Sequence, residues 1–317
     1  MSYQPHLADT GFLLFNVLQA PAQLQGLPQL TEADQPLMEQ VLDEAGKFVA
    51  EVVAPLTRVG DEVGCSWHAG AVTTPPGFRD AYQAFVQAGW PALACAEEDG
   101  GQGLPWVLEG VLYEWLNAAN HGWTMTPGLL HGAYECLKHH GSDALKAAYL
   151  PHIASGEWLA TMCLTEPQAG SDLGLVRTQA VPVDGSLEHH ISGTKIFISG
   201  GEHDLTDNIL HLVLARLPGA APGPKGLSLF LVPKLLPDGT RNTVVCERIE
   251  EKMGLHGSPT CVMRFDAATG WLIGSPGAGL NAMFVMMNAA RLLVALQGIG
   301  LLDAAWQKAH AYALERR

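Results

Sequence analysis

Two segments hold the residues from which a reaction site could be built. Met162-Cys163-Leu164 runs into Thr165-Glu166-Pro167 and then into a polar turn, Gln168-Ala169-Gly170-Ser171-Asp172. This order predicts a strand edge opening into a ligand-cradling loop. Pro167 has no N–H to give a ladder and ends the strand. Gly170 permits a tight turn, and Ser171 with the free amides can donate to an anion or a carbonyl. Further on, Ile191 to Gly201 reads as a second strand and carries Phe197 and Ser199. Taken singly, each segment is as well described by an ordinary strand, with Phe197 in a core and Ser171 and Ser199 capping turns.

A third group lies in Leu280–Trp306, which is apolar almost all round. Arg291 sits near its middle, with Asn288 and Gln297 beside it. An unpaired buried charge is costly, so Arg291 should face a partner or a cavity. Asn288, three residues earlier, shares its helix face. Arg316 follows about seven turns later on the same face, roughly 37 Å away, so one ligand cannot meet both arginines. As a solvated helix-end charge, Arg316 would need no ligand at all. Neither side of Arg291 offers the roughly 18 uncharged apolar residues of a membrane span, and a long helix buried in a soluble core is expected.

The elements that must position these residues follow an α, β, α order. Thr31-Glu-Ala-Asp34 has the form of a capping box and opens a helix with apolar residues at Leu37, Val41, Leu42, Ala45, Phe48, Val49 and Val52. Pro55 should end it, and Gly60–Pro76 reads as a loop. Further helices are expected from Pro76-Gly77-Phe78 to Gly89, around Trp106–Ala119 and around Gly128–His140. Glu97–Pro105 is glycine-rich but lacks the spacing of a phosphate loop, so a helix–helix turn is the better assignment. From Trp158 to about Ile273 short β-forming runs alternate with Gly, Pro and Asp: Ile209–Ala215, Leu227–Val232, Thr243–Cys246 and Cys261–Phe265. That rhythm predicts a small antiparallel barrel or sandwich. Helical periodicity returns at Leu280. The expected divisions are a helical domain over 1–157, a β domain over 158–276 and a helix over 277–317.

Composition bounds the function. The 317 residues are 48% hydrophobic and 16% charged, which describes a folded protein. A formal net charge of −14 disfavours nucleic acid and anionic membranes as partners. It leaves room for a local anion site made of amides, Ser and Arg. The six cysteines include no C-x-x-C pair, so neither zinc nor a redox dithiol is expected. The short apolar run Gly11–Phe15 has no basic flank and is too brief for a secretory signal, so a cytoplasmic location is expected.

The two strand segments, in this order and spacing, resemble the flavin-binding middle domain of the acyl-CoA dehydrogenases. The α, β, α order extends the resemblance to nearly the whole chain, and Glu97–Pro105 matches a loop found at the same place in that family. Tyr3-Gln-Pro-His-Leu-Ala-Asp9, Thr74-Pro-Pro-Gly-Phe78, Leu164-Thr-Glu-Pro167, His203-Asp-Leu-Thr206 and Lys252–Thr260 resemble the branch acting on 3-methylmercaptopropionyl-CoA, a step of dimethylsulfoniopropionate degradation, and on related acyl-CoAs.

The resemblance implies FAD as cofactor. Met162, Leu164 and Thr165 would run along the flavin ring, Phe197 would stack beside it, and Ser199 would donate to it or to its phosphates. Ser171 would contact the CoA portion, Asn288 and Arg291 the substrate pocket. Arg316 would grip the FAD diphosphate of a neighbouring subunit, which implies a homo-oligomer. An electron-transfer flavoprotein or similar acceptor would reoxidise the flavin. Family members continue past this point into further helices, so the C-terminal helical domain is expected to be missing. With it would go the catalytic glutamate of most branches. Another branch places its base just before the arginine of the long helix, where this chain has Ala290. Glu166 is expected to be structural. The activity implied for the complete enzyme is α,β-dehydrogenation of an acyl-CoA thioester; this chain alone is expected to be inactive and to bind FAD weakly or not at all. The alternatives are an acyl-CoA oxidase, a DNA-binding flavoprotein relative, which the charge disfavours, and a non-catalytic interaction module.

Overall fold

The computed structural model describes residues 2–27, 30 and 33–316. The N-terminal layer is helical. α1 (Leu7–Gly11) runs into a π-helical turn at Phe12–Val17, and α2 (Ala20–Leu24) follows. α3 (Gln35–Phe48) is capped by Asp34, whose carboxylate accepts from the Leu37 amide at 2.9 Å. The cap is Asp34; Thr31, the other residue of the expected box, lies outside the described residues. Nor does Pro55 end this helical stretch. A π-helical turn at Val49–Val53 and a 3-10 turn at Ala54–Leu56 carry it into α4 (Thr57–Glu62). Pro55 is tolerated because it starts a turn, where its missing N–H has no partner to lose.

The stretch expected to be loop contains a hairpin, β1 (Ser66–His68) with β2 (Ala71–Thr73). Its two turn residues, Ala69 and Gly70, both have positive φ, the geometry that suits the twist of paired strands. α5 (Phe78–Gln87) ends where Gly89, at φ 77°, takes the left-handed conformation that closes helices. α6 (Trp106–Thr124) is broken at Asn120, and α7 (Leu130–His140) follows. α8 (Asp143–Ala154) was not expected: Pro151 stands inside it, and no clean apolar stripe marks it. Ser142 caps it by accepting from the Leu145 amide at 3.3 Å. The helices share a core that includes Tyr82, Phe85, Trp115 and Trp123, with Phe85 edge-on to Trp123 at 5.5 Å.

The β layer comprises β3 (Leu159–Cys163), β4 (Gln179–Pro182), β5 (Glu188–Ser199), β6 (Ile209–Arg216), β7 (Leu227–Pro233), β8 (Val244–Ile249) and β9 (Thr260–Ile273). The order β6-β4-β5-β9-β7 returns to β6 and closes a small barrel, with β8 added on β9. Most ladders are antiparallel, but β3 pairs parallel to β6. Ile191, Ile198, Val213, Phe230 and Phe265 fill the barrel interior. Met162 and Leu164 belong to the other face and pack against the helical core.

α9 (Gly279–Glu315) is covered unevenly. Its first part is buried at Ala282, Met283, Met286 and Ala289. Gly279 crosses β7 so closely that a Cβ would lie 2.4 Å from the Leu229 nitrogen. Beyond that the helix is not wrapped by core: Leu292 is 52%, Val294 59% and Leu302 71% exposed. Gly300 is an exception, pressed against the Glu114 carbonyl of α6.

Candidate functional site

The edge where β3 ends beside β5 gathers the first nominated group. The chain leaves β3 at Cys163, and the Thr165 carbonyl accepts from the Ile196 amide at 2.9 Å. This bond lies beside an irregularity in β5. Lys195 pairs with Met263 and Ile198 with Cys261, so two β5 residues face one of β9. Such a bulge re-aims side chains. Lys195 turns inward and is fully buried, whereas Phe197 is turned out, 59% exposed at φ 60°. A bulky residue in that conformation is strained. The product is an aromatic ring held open to solvent one residue from the bond that joins β5 to Thr165. Ser199, partly buried, sits two residues on, opposite Thr260.

Glu166 organises the loop that follows. Its Oε1 accepts from Lys195 Nζ at 2.8 Å, Thr178 Oγ1 at 2.6 Å and the Thr178 amide at 3.1 Å. Its Oε2 accepts from the Arg177 amide at 2.8 Å and Gln168 Nε2 at 2.6 Å. Lys195 also donates to the Leu164 carbonyl at 3.0 Å. Burial pushes the Glu166 carboxyl upward, but Lys195 and these donors outweigh it and hold it at about 2. Burial draws the Lys195 ammonium below its ordinary range against the opposing pull of Glu166. Arg216 braces the same loop by donating to the Val176 and Gly174 carbonyls at 2.8 and 2.6 Å. Ser171 is exposed on this loop.

The helical group is arranged differently from expectation. Arg291 is not buried: it is exposed, donates to Asn288 Oδ1, and stands over the Phe284 ring at 5.3 Å. Its charge stays in water because that side of α9 is uncovered. Arg316 follows the last turn of α9, its amide bonded to the Tyr312 carbonyl. The structure thus ties Leu164 and Thr165 to the β5 bulge through Lys195 and Ile196, and places Asn288 against Arg291. Arg316 joins neither set. A cleft of about 870 Å³ opens elsewhere, among Tyr3, Arg58, Asn117, His256 and Lys308, and contains none of the nominated residues. The exposed aromatic edge is the better candidate, because an open ring beside polar backbone can accept a flat ligand, whereas size alone says nothing of chemistry.

Sequence reasoning missed Lys195 and Thr178. The available signal was a lone lysine inside the apolar strand run Ile191–Ile198, which is tolerated only with a buried partner.

Residues 36–157 match the acyl-CoA dehydrogenase N-terminal domain and residues 161–268 its middle domain. The chain is 45% identical to 3-methylmercaptopropionyl-CoA dehydrogenase of Ruegeria pomeroyi, over 100% of this chain and 54% of the relative. It is 36% identical to the broad-specificity linear acyl-CoA dehydrogenase of Mycobacterium tuberculosis, over 99% of this chain and 53% of the relative. An acyl-CoA dehydrogenase from Bacillus anthracis, solved with FAD, has the same fold at TM-score 0.75 and 24% identity, over 91% of this chain and 46% of the other. The chain spans about half the length of the curated relatives it matches.

Proposed function

Because the chain belongs to the acyl-CoA dehydrogenase family, we propose that it carries the flavin-ring side of an FAD-dependent α,β-dehydrogenation of acyl-CoA thioesters. The observation that carries this reading is Phe197, an aromatic side chain held outward at φ 60° on a strand edge. A flat ring with one apolar face and a polar rim fits that edge. When bound, FAD supplies the two-electron acceptor. Phe197 backs the ring, Met162 and Leu164 lie along it, and the Thr165 hydroxyl and neighbouring backbone meet its polar rim. Ser199 donates to the ring or its phosphates.

On the substrate side, Ser171 contacts the CoA portion, while Asn288 and Arg291 border the acyl thioester. Asn288 aims the guanidinium by accepting from it. Glu166 is not the base that removes the α-proton: its two oxygens accept from five donors, and its carboxyl is held at about 2. A base works best with a pKa near the operating pH. The proposed substrates are short acyl-CoAs, including the methylthio compound for which the Ruegeria pomeroyi relative is named. The proposed acceptor is an electron-transfer flavoprotein or similar carrier. The proposed partner is a second copy whose FAD diphosphate meets Arg316.

Fluorescence titration of FAD tests the reading. Saturable quenching that riboflavin relieves and ADP does not is expected, since the shelf holds the ring. Quenching relieved by ADP alone, or no quenching at all, would contradict it.

A further inference from the structure

The same buried pair touches both sides of the candidate site. Lys195 fixes the Leu164 carbonyl on the ring side, and Glu166 takes the amides of Arg177 and Thr178 beyond the Ser171 loop. Glycine at 193 makes this possible: a Cβ there would lie 2.3 Å from Thr178 Oγ1. The pair is 0% and 4% exposed. An ion pair so placed is a poor way to gain stability, because its desolvation offsets most of its attraction. Its geometry is specific, however, because two oxygens and one ammonium fix three backbone groups on two separate segments.

We propose that Glu166–Lys195 is a positioning pair that sets the flavin shelf and the substrate loop in register with each other. This rests on the flavin reading for its purpose, but not for its geometry. Lys195 is drawn into the barrel wall by Glu166, which leaves Ile196 and Phe197 as the outward side of the bulge. The Ile196 amide then meets the Thr165 carbonyl, so the outward pose of Phe197 and the course of Thr165 depend on the same pair. Across the loop, Glu166 fixes where the chain re-enters β4 and so limits where Ser171 can lie. Neither residue touches the ligand in this scheme; both act through the backbone they hold.

Hydrogen exchange without flavin is the first test. Glu166→Gln keeps the shape but weakens the hold on Lys195 and the two amides. Exchange at Arg177, Thr178 and Ile196 should quicken by about tenfold or more, the factor expected for loss of one charge-assisted hydrogen bond. Exchange in α6 and α7 should not change. The double variant Glu166→Met/Lys195→Met guards against a folding failure, since an apolar pair of similar size can keep the fold. It should melt near the parent yet lose protection at the same amides and bind FAD at least tenfold more weakly. Parent-like protection and FAD affinity in the double variant would overturn the proposal. If the parent itself fails to quench FAD, the flavin reading falls, while the exchange data still decide the positioning role.

Discussion

The β5 edge and the outer half of α9 invert the usual assignment of polar and apolar residues. At the β5 edge, a lysine and a glutamate are buried with bonded partners. On α9, Leu292, Val294 and Leu302 face outward. The difference teaches that burial follows from what a neighbour supplies. Lys195 enters the core because Glu166 and a carbonyl await it. Leu302 stays outside because no described residue covers that side.

Acidification should separate the two regions most strongly. His203 and His211 in the β layer are held at about 3, chiefly by burial and then by Lys234. Their folded values lie below the ordinary 6.5, so the unfolded chain binds protons the folded chain does not, and stability is lost as pH falls from about 6.5 toward 3. Glu166 adds loss of the same sign from about 4.5 toward 2. Denaturant midpoints between pH 7 and 3.5 should fall steadily, and less steeply in a His203→Gln/His211→Gln variant. A flat profile would show that these imidazoles titrate normally.

Next in size is Lys195→Met, which leaves Glu166 buried without its counter-charge. Such losses amount to about 3–5 kcal/mol. Urea unfolding should show this, and adding Glu166→Gln should recover part of it. A loss under 1 kcal/mol would mean water reaches the carboxylate. The smallest effect belongs to α9. Leu302→Gln alters an uncovered side chain and should move stability by no more than about 0.5 kcal/mol. A loss of core-like size would show that Leu302 is packed in solution.

The same contrast explains what could be read from the sequence. Met162–Asp172 and Ile191–Gly201 were legible as a strand end with its turn and as a second strand, because Pro, Gly and β-branched residues punctuate them plainly. The bulge was not legible, since it arises from a pairing between Lys195 and a distant carboxylate. α8 was hidden by Pro151. The burial expected of Arg291 failed and α9 is covered only in part, because an apolar sequence records what a helix needs, not whether a neighbour is there to meet it. The Thr165–Ile196 bond is likewise a tertiary fact that periodicity does not encode.

Phe197 offers the most direct test of the central claim, that the outward ring exists to hold a flavin. Its left-handed conformation costs about 1–2 kcal/mol, which glycine would not incur. In Phe197→Gly, the account predicts an unchanged or higher melting temperature together with FAD quenching weakened at least tenfold. A variant that binds FAD as tightly as the parent would contradict it.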